Sequence, residues 1–278
     1  MSALPAVTAP LCGFLVIDKP AGCTSHDCVS RARRALGTRK VGHGGTLDPA
    51  VTGVLPLAVG PATRLLPYLE GEKDYIGTIQ LGLRTSSDDL SGEVLEQQHW
   101  PSLSQAELDG QLQPFRGLIQ QRPPAVSAVH VDGERAHTRA RRGEQLLLAS
   151  RPVTIEQLEL LRWDPNTGQL EIKLRCSAGT YVRSLARDLG DQLGCGGALA
   201  KLRRTAALGF TLEASLPLED LGPETALSDP LQALDHLPKQ RLSQEQWLAW
   251  TRGQRLPLET LDQPEESPLV MLRPDGSL

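Results

Sequence analysis

The chain of 278 residues contains little cysteine, and its cysteines are scattered. It has no C-x-x-C pair and no cysteine–histidine spacing typical of zinc, so we expect no metal site. An odd number of separated thiols is typical of a reduced cytosolic protein rather than of a disulfide-linked secreted one. The five positions are Cys12, Cys23, Cys28, Cys176 and Cys195.

Long apolar runs are also missing from the sequence. No stretch approaches the ~20 apolar residues that a membrane span needs. The N-terminal segment lacks a basic region, and prolines interrupt its apolar run, so it does not read as a signal peptide. We therefore expect a soluble, cytoplasmic protein that makes no membrane contact. Its length suits one large domain, or one domain with a small appendage.

An excess of positive charge is absent as well, since 29 basic residues face 33 acidic ones and the net charge is −4. This argues against a protein that coats nucleic acid over its whole surface. The charges are nevertheless segregated, because Thr205 to Pro238 hold six acids and no Lys or Arg. Such segregation predicts a polyanion bound on one face, although a solvated surface is the simpler alternative. The basic clusters are Arg31, Arg33, Arg34, Arg39 and Lys40; four arginines from Arg135 to Arg142; and Lys201, Arg203 and Arg204.

The hydrophobic periodicity predicts strands and helices in an irregular order. Alternation predicts strands in "DYIGTIQLGLRT", with Tyr75, Ile79, Leu81 and Leu83 on one side, and in "QLEIKLRC". A helix is expected from the capping box of Thr24 and Asp27 to Gly37, and a second one in "GTYVRSLARDLGDQLG". Because the order shows no regular βαβ rhythm, the pattern favours an α+β fold over a doubly wound one.

One glycine-rich loop, "VGHGGTLDPAVTG", contains a single carboxylate, Asp48, directly before a proline. Pro49 restricts residue 48 to an extended backbone, and Gly42, Gly44, Gly45 and Gly53 permit positive φ or a close approach. The loop therefore holds a carboxylate that a ligand can reach. A simple Asp-Pro turn, in which the aspartate caps its own backbone, is the alternative.

Several long motifs together give the chain a resemblance to the TruB-type tRNA pseudouridine synthases. They are "GFLVIDKPAGCTSHD", "VGHGGTLDPAVTGVLPLAVGPATR", "KDYIGTIQLGLRTSSDDLSG", "CSAGTYVRSLARDLGDQLGCGG" and "LRRTAALG", which span residues 11 to about 210. The resemblance implies a mixed, largely antiparallel central sheet with flanking helices. It also implies isomerisation of uridine to pseudouridine at position 55 in the T loop of tRNA, with no cofactor. The tRNA T stem-loop is then the partner, and we expect a monomer.

The resemblance assigns three residues to the chemistry. Asp48 would act on the flipped nucleotide by attacking C1′ or C6, or by abstracting the C2′ proton, and these routes stay open. Asp48 has to be ionised in a desolvated pocket, and Arg183 resembles the family's arginine that pairs with it. Tyr75 resembles the tyrosine that stacks on the uracil and is a candidate acceptor of the C5 proton. Taken alone, Arg183 would be a surface helix residue and Tyr75 a core-edge residue.

Five further residues match substrate-binding positions of the family. Tyr181 and Leu202 would line the uracil pocket, and His43 would stand where the extruded nucleotide left the RNA stack. Lys19 and Arg64 would support the pocket or bind phosphate. The expected contacts to the RNA backbone come from the basic clusters: Arg31, Arg33, Arg34, Arg139, Arg141, Arg142, Arg203 and Arg204.

The chain departs from the family pattern in two places. Val126, His130 and Thr138 replace a usual tyrosine, lysine and aromatic residue in a segment that resembles the loop that clamps the RNA. The C-terminal segment looks shorter than the family's PUA-like RNA-binding domain. We therefore expect a catalytic domain over residues 1–238, with the clamping insertion at about 122–151, and an incomplete PUA-like segment over 239–278.

Other functions remain as alternatives. An RNA chaperone could keep this scaffold without chemistry, although the presence of Asp48, Tyr75 and Arg183 together argues against it. A hydrolase with an aspartyl nucleophile would usually carry a carboxylate cluster, whereas Asp48 is the one acid between Asp27 and Glu70. A synthase that modifies another RNA is the third alternative, because the aspartate alone does not define the RNA.

Overall fold

A mixed sheet of ten strands forms the centre of the computed structural model. Most of its neighbouring strands are antiparallel, which confirms the α+β class predicted from the sequence. Among the described residues, no helix is long and apolar enough to cross a membrane. The structure describes residues 11–127, 129–131, 133–136, 139, 142, 144, 148–256 and 268–278.

The elements are numbered along the described part of the chain. The strands are β1 Gly13–Lys19, β2 Val41–His43, β3 Thr52–Val59, β4 Lys73–Leu81, β5 Leu83–Thr85, β6 Val94–Gln97, β7 Gly117–Gln121, β8 His130–Val131, β9 Glu134–Arg135, β10 Arg151–Asp164, β11 Gln169–Cys176, β12 Gly197–Ala207, β13 Phe210–Thr211, β14 Leu216–Pro217, β15 Lys239–Arg241 and β16 Val270–Leu272. The helices are α1 Ser25–Ala35, α2 Gln105–Leu112, α3 Val182–Gln192, α4 Pro230–Ala233 and α5 Gln244–Thr251.

The sheet runs in the order β14-β1-β3-β12-β4-β11-β10-β7, with β2 beside β3 and β13 beside β12. Strand β12 is central and pairs in parallel with β3 and antiparallel with β4. Arg204 of β12 therefore faces Gly53 on one side and Tyr75 on the other. The loop before β3, the start of β4 and the second half of β12 are therefore neighbours in the sheet.

Helix α1 begins as the sequence predicts. Thr24 and Asp27 form the reciprocal capping box, and Gly37 follows the helix with a φ of 62°. The buried face of the helix includes Val29 and Ala32, which join the main core. The opposite side carries the exposed arginines Arg31 and Arg34.

Strands β4 and β11 show the predicted alternation, with one difference. Their inward residues, such as Ile79 and Leu174, are buried. Leu83 does not continue β4, because the chain turns at Gly82 (φ 83°) and begins β5, which pairs with β6. A Cβ at Gly82 would lie 2.5 Å from the Gln98 carbonyl oxygen, so the turn requires glycine.

Helix α3 packs closely on the start of β12. A Cβ on Gly190 would lie 2.0 Å from the Gly197 nitrogen, so the two backbones touch where neither residue has a side chain. Leu185, Ala186 and Leu189 are fully buried, as the periodicity of this segment predicts. This contact fixes the helix whose first turn carries Arg183.

The glycine-rich loop holds its conformation at two of its four glycines. Gly45 and Gly53 have φ values of 131° and 104°, whereas Gly44 permits a close approach, because a Cβ there would lie 2.6 Å from Leu208 Cδ1. A Cβ on Gly53 would lie 2.1 Å from the Arg204 carbonyl oxygen, so this glycine permits β3 and β12 to pair.

The C-terminal residues form a small parallel pair, β15 and β16, next to α5. Leu234 and Val270 join an apolar cluster with Phe14 and Ala58 of the central sheet. The change of composition near residue 239 therefore coincides with a small unit whose apolar residues pack on the sheet.

Candidate active site

A cavity of about 220 Å³ opens beside the glycine-rich loop. This volume is below the ~300–1,000 Å³ typical of pockets for drug-sized ligands, so it suits one small ring. Five residues predicted from the sequence line it together: Asp48, Tyr75, Tyr181, Arg183 and Leu202. They come from the loop before β3, from β4, from the start of α3 and from β12.

The loop presents Asp48 from a β-turn, in which the Val51 N–H donates to the Asp48 carbonyl at 3.0 Å. The turn is thus the Asp-Pro turn that the sequence suggested, but the carboxylate binds Arg183 across the cavity. The side chain of Asp48 is 42% exposed, so in the free protein it is not in the desolvated pocket that we expected. Desolvation at this position has to come from the ligand.

Lys19 holds this loop through hydrogen bonds to its backbone. Its side chain is fully buried, and Nζ donates to the carbonyl oxygens of Pro20, Pro49 and Val51 at 2.9, 3.2 and 2.7 Å. Its ammonium group is therefore committed to the backbone around Asp48. Of the two roles that the resemblance left open for Lys19, this favours support of the pocket over phosphate or substrate binding, because a buried lysine with three carbonyl partners has no donor left for a ligand.

Arg183 is 6% exposed and is held at every nitrogen. Its Nε lies 3.0 Å from Asp48 Oδ2, while Nη1 and Nη2 donate to the carbonyls of Ser87 and Val126, both at 2.9 Å. Asp89 Oδ2 lies 3.8 Å from the same Nε. The predicted Asp48–Arg183 pair is therefore present, with the arginine fixed by two neighbouring loops.

Tyr75 is buried to 7% exposure at the cavity wall. Burial raises the pKa of its phenol, and Arg204 opposes this shift. The ring is therefore a neutral phenol at neutral pH, placed to pack on a flat ligand.

Arg204 was expected at the RNA backbone, and the structure corrects this. It is fully buried, with Nε donating to the Val54 carbonyl at 2.7 Å and Nη2 to the Gly45 carbonyl at 3.2 Å. A side chain enclosed between β3 and the glycine-rich loop cannot reach a phosphate. Arg204 instead ties the glycine-rich loop to the central strand.

Leu202 and Tyr181 form apolar parts of the wall. Leu202 lies over Gly77, whose Cβ would be 3.0 Å from Leu202 Cδ1, so the absence of a side chain at 77 makes room for it. Tyr181 precedes α3, and its backbone is held by the side-chain amide of Gln121. The Gln121 oxygen accepts from the Tyr181 N–H at 2.8 Å, and Nε2 donates to the Tyr181 carbonyl at 3.1 Å.

His43 and Arg64 lie outside the wall of this cavity. His43 is partly buried in β2, and its Nδ1 accepts from the Gly45 N–H at 3.4 Å. Burial, followed by the charge of Arg204, lowers the pKa of His43, so the imidazole is neutral at neutral pH. Arg64 is exposed at the end of a short 3₁₀ turn, Gly60–Arg64.

The other predicted backbone-binding arginines differ in their availability. Arg31 and Arg34 are exposed on α1, whereas Arg33 turns inward and donates to the Val41 carbonyl at 3.0 Å. Arg203 makes a bidentate pair with Asp18, at 3.0 and 2.7 Å. Arg33 and Arg203 are thus already engaged within the protein.

The arginine-rich insertion contains acids that pair with its arginines. Arg139 Nε lies 2.7 Å from Glu144, and Arg142 Nη2 lies 2.5 Å from Glu134 and 3.1 Å from Glu144. Arg141 and Thr138 lie outside the described residues. A polyanion that binds Arg139 and Arg142 therefore competes with two glutamates.

Two residues that the sequence analysis missed face the site or support it. Lys73 lines the cavity, and Gln121 holds Tyr181 from the end of β7. Lys73 stands two residues before Tyr75 on the same face of β4, so its spacing was a signal. Nothing local in the sequence marks Gln121, because its partner lies 60 residues away.

The wall combines the carboxylate of Asp48, the fixed cation of Arg183 and the buried ring of Tyr75. A carboxylate in this setting has the chemistry of a nucleophile or of a base toward a small ring beside Tyr75. Among the described residues, no group of three or more His, Cys, Asp or Glu side chains is placed to hold a metal ion.

Comparisons with known proteins point to one family. The model described as TruB family pseudouridylate synthase (N terminal domain) matches residues 33–182, and that of the tRNA pseudouridylate synthase B C-terminal domain matches residues 183–237. The chain is similar to "tRNA pseudouridine synthase B" of Parasynechococcus marenigrum (strain WH8102), with 64% identity covering 96% of this chain and 91% of the relative. The protein of that name from Synechococcus sp. (strain WH7803) is 59% identical, with 97% and 92% covered.

Solved structures agree with this likeness. A chain in the crystal structure of the archaeal box H/ACA sRNP Nop10-Cbf5 complex matches with a TM-score of 0.70 and 25% identity, covering 95% of this chain and 76% of that one. A chain in a Cbf5-Nop10-Gar1 complex matches with the same TM-score and identity. These structures share the mixed sheet on which the cavity is built.

Proposed function

The chain belongs to the TruB family of pseudouridylate synthases, and we propose that it isomerises the uridine at position 55 in the T loop of tRNA to pseudouridine. The observation that carries the proposal is the pairing of Asp48 with the buried Arg183 at 3.0 Å, in a cavity that Tyr75 also lines. The names of the relatives support tRNA as the substrate.

The reaction breaks the C1′–N1 bond of uridine, turns the base and joins C1′ to C5. The proton at C5 leaves and N1 gains one, so the product is an isomer and the substrate supplies both fragments. Asp48 is the group placed to act on the ribose or the base, at C1′, C6 or the C2′ proton. Arg183 orients the carboxylate, because its guanidinium is fixed by the carbonyls of Ser87 and Val126.

The ring of Tyr75 is the surface on which the uracil packs. A phenol that stays neutral is a weak base, so acceptance of the C5 proton by Tyr75 is a hypothesis for mutagenesis to test. Tyr181 and Leu202 complete the wall around the base.

The target base has to leave its stack, because a carboxylate cannot reach C1′ or C6 of a stacked nucleotide. We assign His43 to the space that the extruded base vacates, since a neutral imidazole packs on a base without adding charge. Arg31 and Arg34, exposed on α1, are our candidates for contacts to the RNA backbone.

The remaining parts of the proposal concern the whole protein. We assign residues 1–238 to the catalytic domain and residues 239–278 to a short, incomplete PUA-like segment. A tRNA-modifying enzyme of this kind works in the cytoplasm. We expect a monomer, which size-exclusion chromatography with light scattering tests.

The direct test is the release of tritium from tRNA transcripts labelled at C5 of uridine. We expect one tritium to be released per transcript, and none when uridine 55 is replaced by cytidine. Release that is unaffected by this replacement would support a synthase of another RNA position. Tight binding without any release would instead support the RNA chaperone.

A further inference from the structure

Lys73 is the one cation in the cavity wall, besides Arg183, among the lining residues that the structure describes. It opens β4 two residues before Tyr75, so both side chains project from the same face of the strand toward the cavity. No carboxylate lies within ion-pairing distance of its Nζ among the described residues, in contrast to Arg183. The proposed isomerisation has not assigned a role to the ammonium group of Lys73.

A second cation stands beside it. A Cβ placed on Gly45 would lie 3.5 Å from Arg204 Nη1 and 3.7 Å from Lys73 Nζ, so the two charged groups meet over this glycine. Arg204 Nη1 is buried and has no hydrogen-bond partner among the described residues. Two cations that approach the same glycine, neither in a salt bridge with a carboxylate among the described residues, favour a negative charge that arrives there.

The groups around Lys73 create positive potential at the cavity. Burial, followed by the charge of Arg204, lowers the pKa of Lys73, while Cys176 and Glu72 oppose this shift. Burial raises the pKa of the Cys176 thiol to about 11, so Cys176 is uncharged at neutral pH. Tyr75 is also neutral, and the carboxylate of Asp48 is paired with Arg183.

The isomerisation produces negative charge on the base by every route that remains open. When the C1′–N1 bond breaks, its electron pair stays on N1 and is shared with the O2 and O4 carbonyl oxygens. If Asp48 instead adds to C6, the electron pair of the C5–C6 double bond moves to C5 and O4. In both cases a cation beside the base stabilises the charged intermediate more than it stabilises the neutral uridine.

We propose that Lys73 is a further catalytic residue, whose ammonium group stabilises the negative charge that develops on the uracil carbonyls, with Arg204 as a positioning residue behind it. The inference rests on the proposed function, since it concerns the base that this reaction detaches or activates. Lys73 is not consumed, and the protons are exchanged at C5 and N1 as described above.

The test compares Lys73→Met and Lys73→Arg in single-turnover reactions with labelled tRNA. Lys73→Met keeps the apolar stem and removes the charge, and we expect its rate at saturating RNA to fall by about 100-fold. The affinity for tRNA should stay within about twofold, and Lys73→Arg should keep most of the rate. Lys173→Met is the matched control, because Lys173 is exposed on the neighbouring strand β11 and does not line the cavity.

The pH dependence provides a readout that a structural role would not change. Because the pKa of Lys73 is lowered, its proton is lost at a lower pH than that of an ordinary lysine, and the wild-type rate should fall as the pH rises through this region. The arginine of Lys73→Arg stays charged, so its alkaline decline should move to higher pH. If the rates of the wild type and of Lys73→Arg fell over the same alkaline pH range, the inference would be overturned, even if Lys73→Met failed to fold.

Other outcomes separate this inference from its alternatives. A Lys73→Met rate within threefold of wild type would overturn it. Weaker binding with a salt slope reduced by about one, at an unchanged saturating rate, would show a phosphate contact instead. Failure of the wild type itself to convert uridine would overturn the proposed function, and the inference with it.

Discussion

Arg183 and Asp48 form an asymmetric pair across the cavity. The arginine side chain is 7% exposed and bound by two backbone carbonyls, whereas the aspartate side chain is 42% exposed. Arg183 is thus the residue that is held in place, and it orients the carboxylate of Asp48. We expect a substrate that covers the cavity to exclude water from Asp48 while Arg183 stays in place.

Removal of this fixed partner should affect chemistry more than binding. In Arg183→Met the carboxylate loses its orienting cation, and we expect the single-turnover rate to fall by about 100-fold or more. Affinity for tRNA should change little, since the Arg183 guanidinium is engaged by Asp48 and by two backbone carbonyls within the protein. Arg183→Lys should restore only part of the rate, because lysine lacks the planar fork that serves three partners.

Rapid-quench kinetics and filter binding measure the two quantities separately. Arg162→Met, on the exposed side of β10, is the control for loss of an arginine. Normal turnover by Arg183→Met at neutral pH would show that the ion pair has no part in the reaction.

Gln121 should act as a positioning residue for the start of α3. It is 2% exposed and binds both backbone groups of Tyr181, two residues before Arg183. In Gln121→Ala the Tyr181 N–H loses its partner, which should destabilise the protein by about 1–3 kcal/mol. We also expect kcat to fall about tenfold while KM changes little, because the loosened backbone misplaces Arg183.

Gln120→Ala is the matched control, since Gln120 is the exposed neighbour on the same strand. Thermal unfolding and steady-state kinetics test both variants. A lowered melting temperature with an unchanged kcat would mean that Gln121 stabilises the fold and does nothing for the reaction.

Tyr75→Phe separates the ring of this residue from its hydroxyl. The phenylalanine ring still packs on the uracil, so tRNA affinity should remain within about twofold of wild type. We expect turnover to fall at least tenfold if the hydroxyl takes part in proton transfer at C5. Full activity of Tyr75→Phe in tritium release would restrict Tyr75 to its packing role.

Glu144 should weaken RNA binding by occupying two arginines. It lies within ion-pairing distance of Arg139 and Arg142. In Glu144→Gln Arg139 and Arg142 each lose one carboxylate partner, while Arg142 keeps Glu134, and we expect affinity for every tRNA to rise about two- to fivefold at low salt. The slope of affinity against salt should steepen by up to about two if both arginines reach phosphates.

The converse change, alanine at both Arg139 and Arg142, should weaken binding and flatten the same slope. Glu171→Gln, on the exposed face of β11, controls for the loss of one negative charge. Binding curves at several salt concentrations give the slope of tRNA affinity against salt for each variant. A slope that neither change moves would mean that these arginines form a solvated surface.

The sequence predicted the parts of the fold that depend on local patterns. The capping box of Thr24 and Asp27 and the alternation in β4 and β11 appear as expected, because neighbouring residues determine them. The Asp48–Arg183 pair was predicted through long motifs, although the two residues are far apart along the chain.

Burial of charged residues could not be predicted in the same way. Lys19 and Arg204 look like surface cations in the sequence, but each is enclosed and bound to backbone carbonyls that distant segments supply. The Arg204 partner in β3 lies 150 residues away. The sequence shows where basic residues cluster along the chain. The order of the strands in the sheet determines which of their side chains are exposed at the surface.

The measurement that tests the central claim most directly is tritium release by Asp48→Asn. Asparagine has nearly the same shape as aspartate but is neither a nucleophile nor a base. The account predicts that Asp48→Asn folds and binds tRNA like the wild type and releases no tritium from uridine 55 above background. Release within tenfold of the wild-type rate would contradict the assignment of Asp48 as the catalytic group.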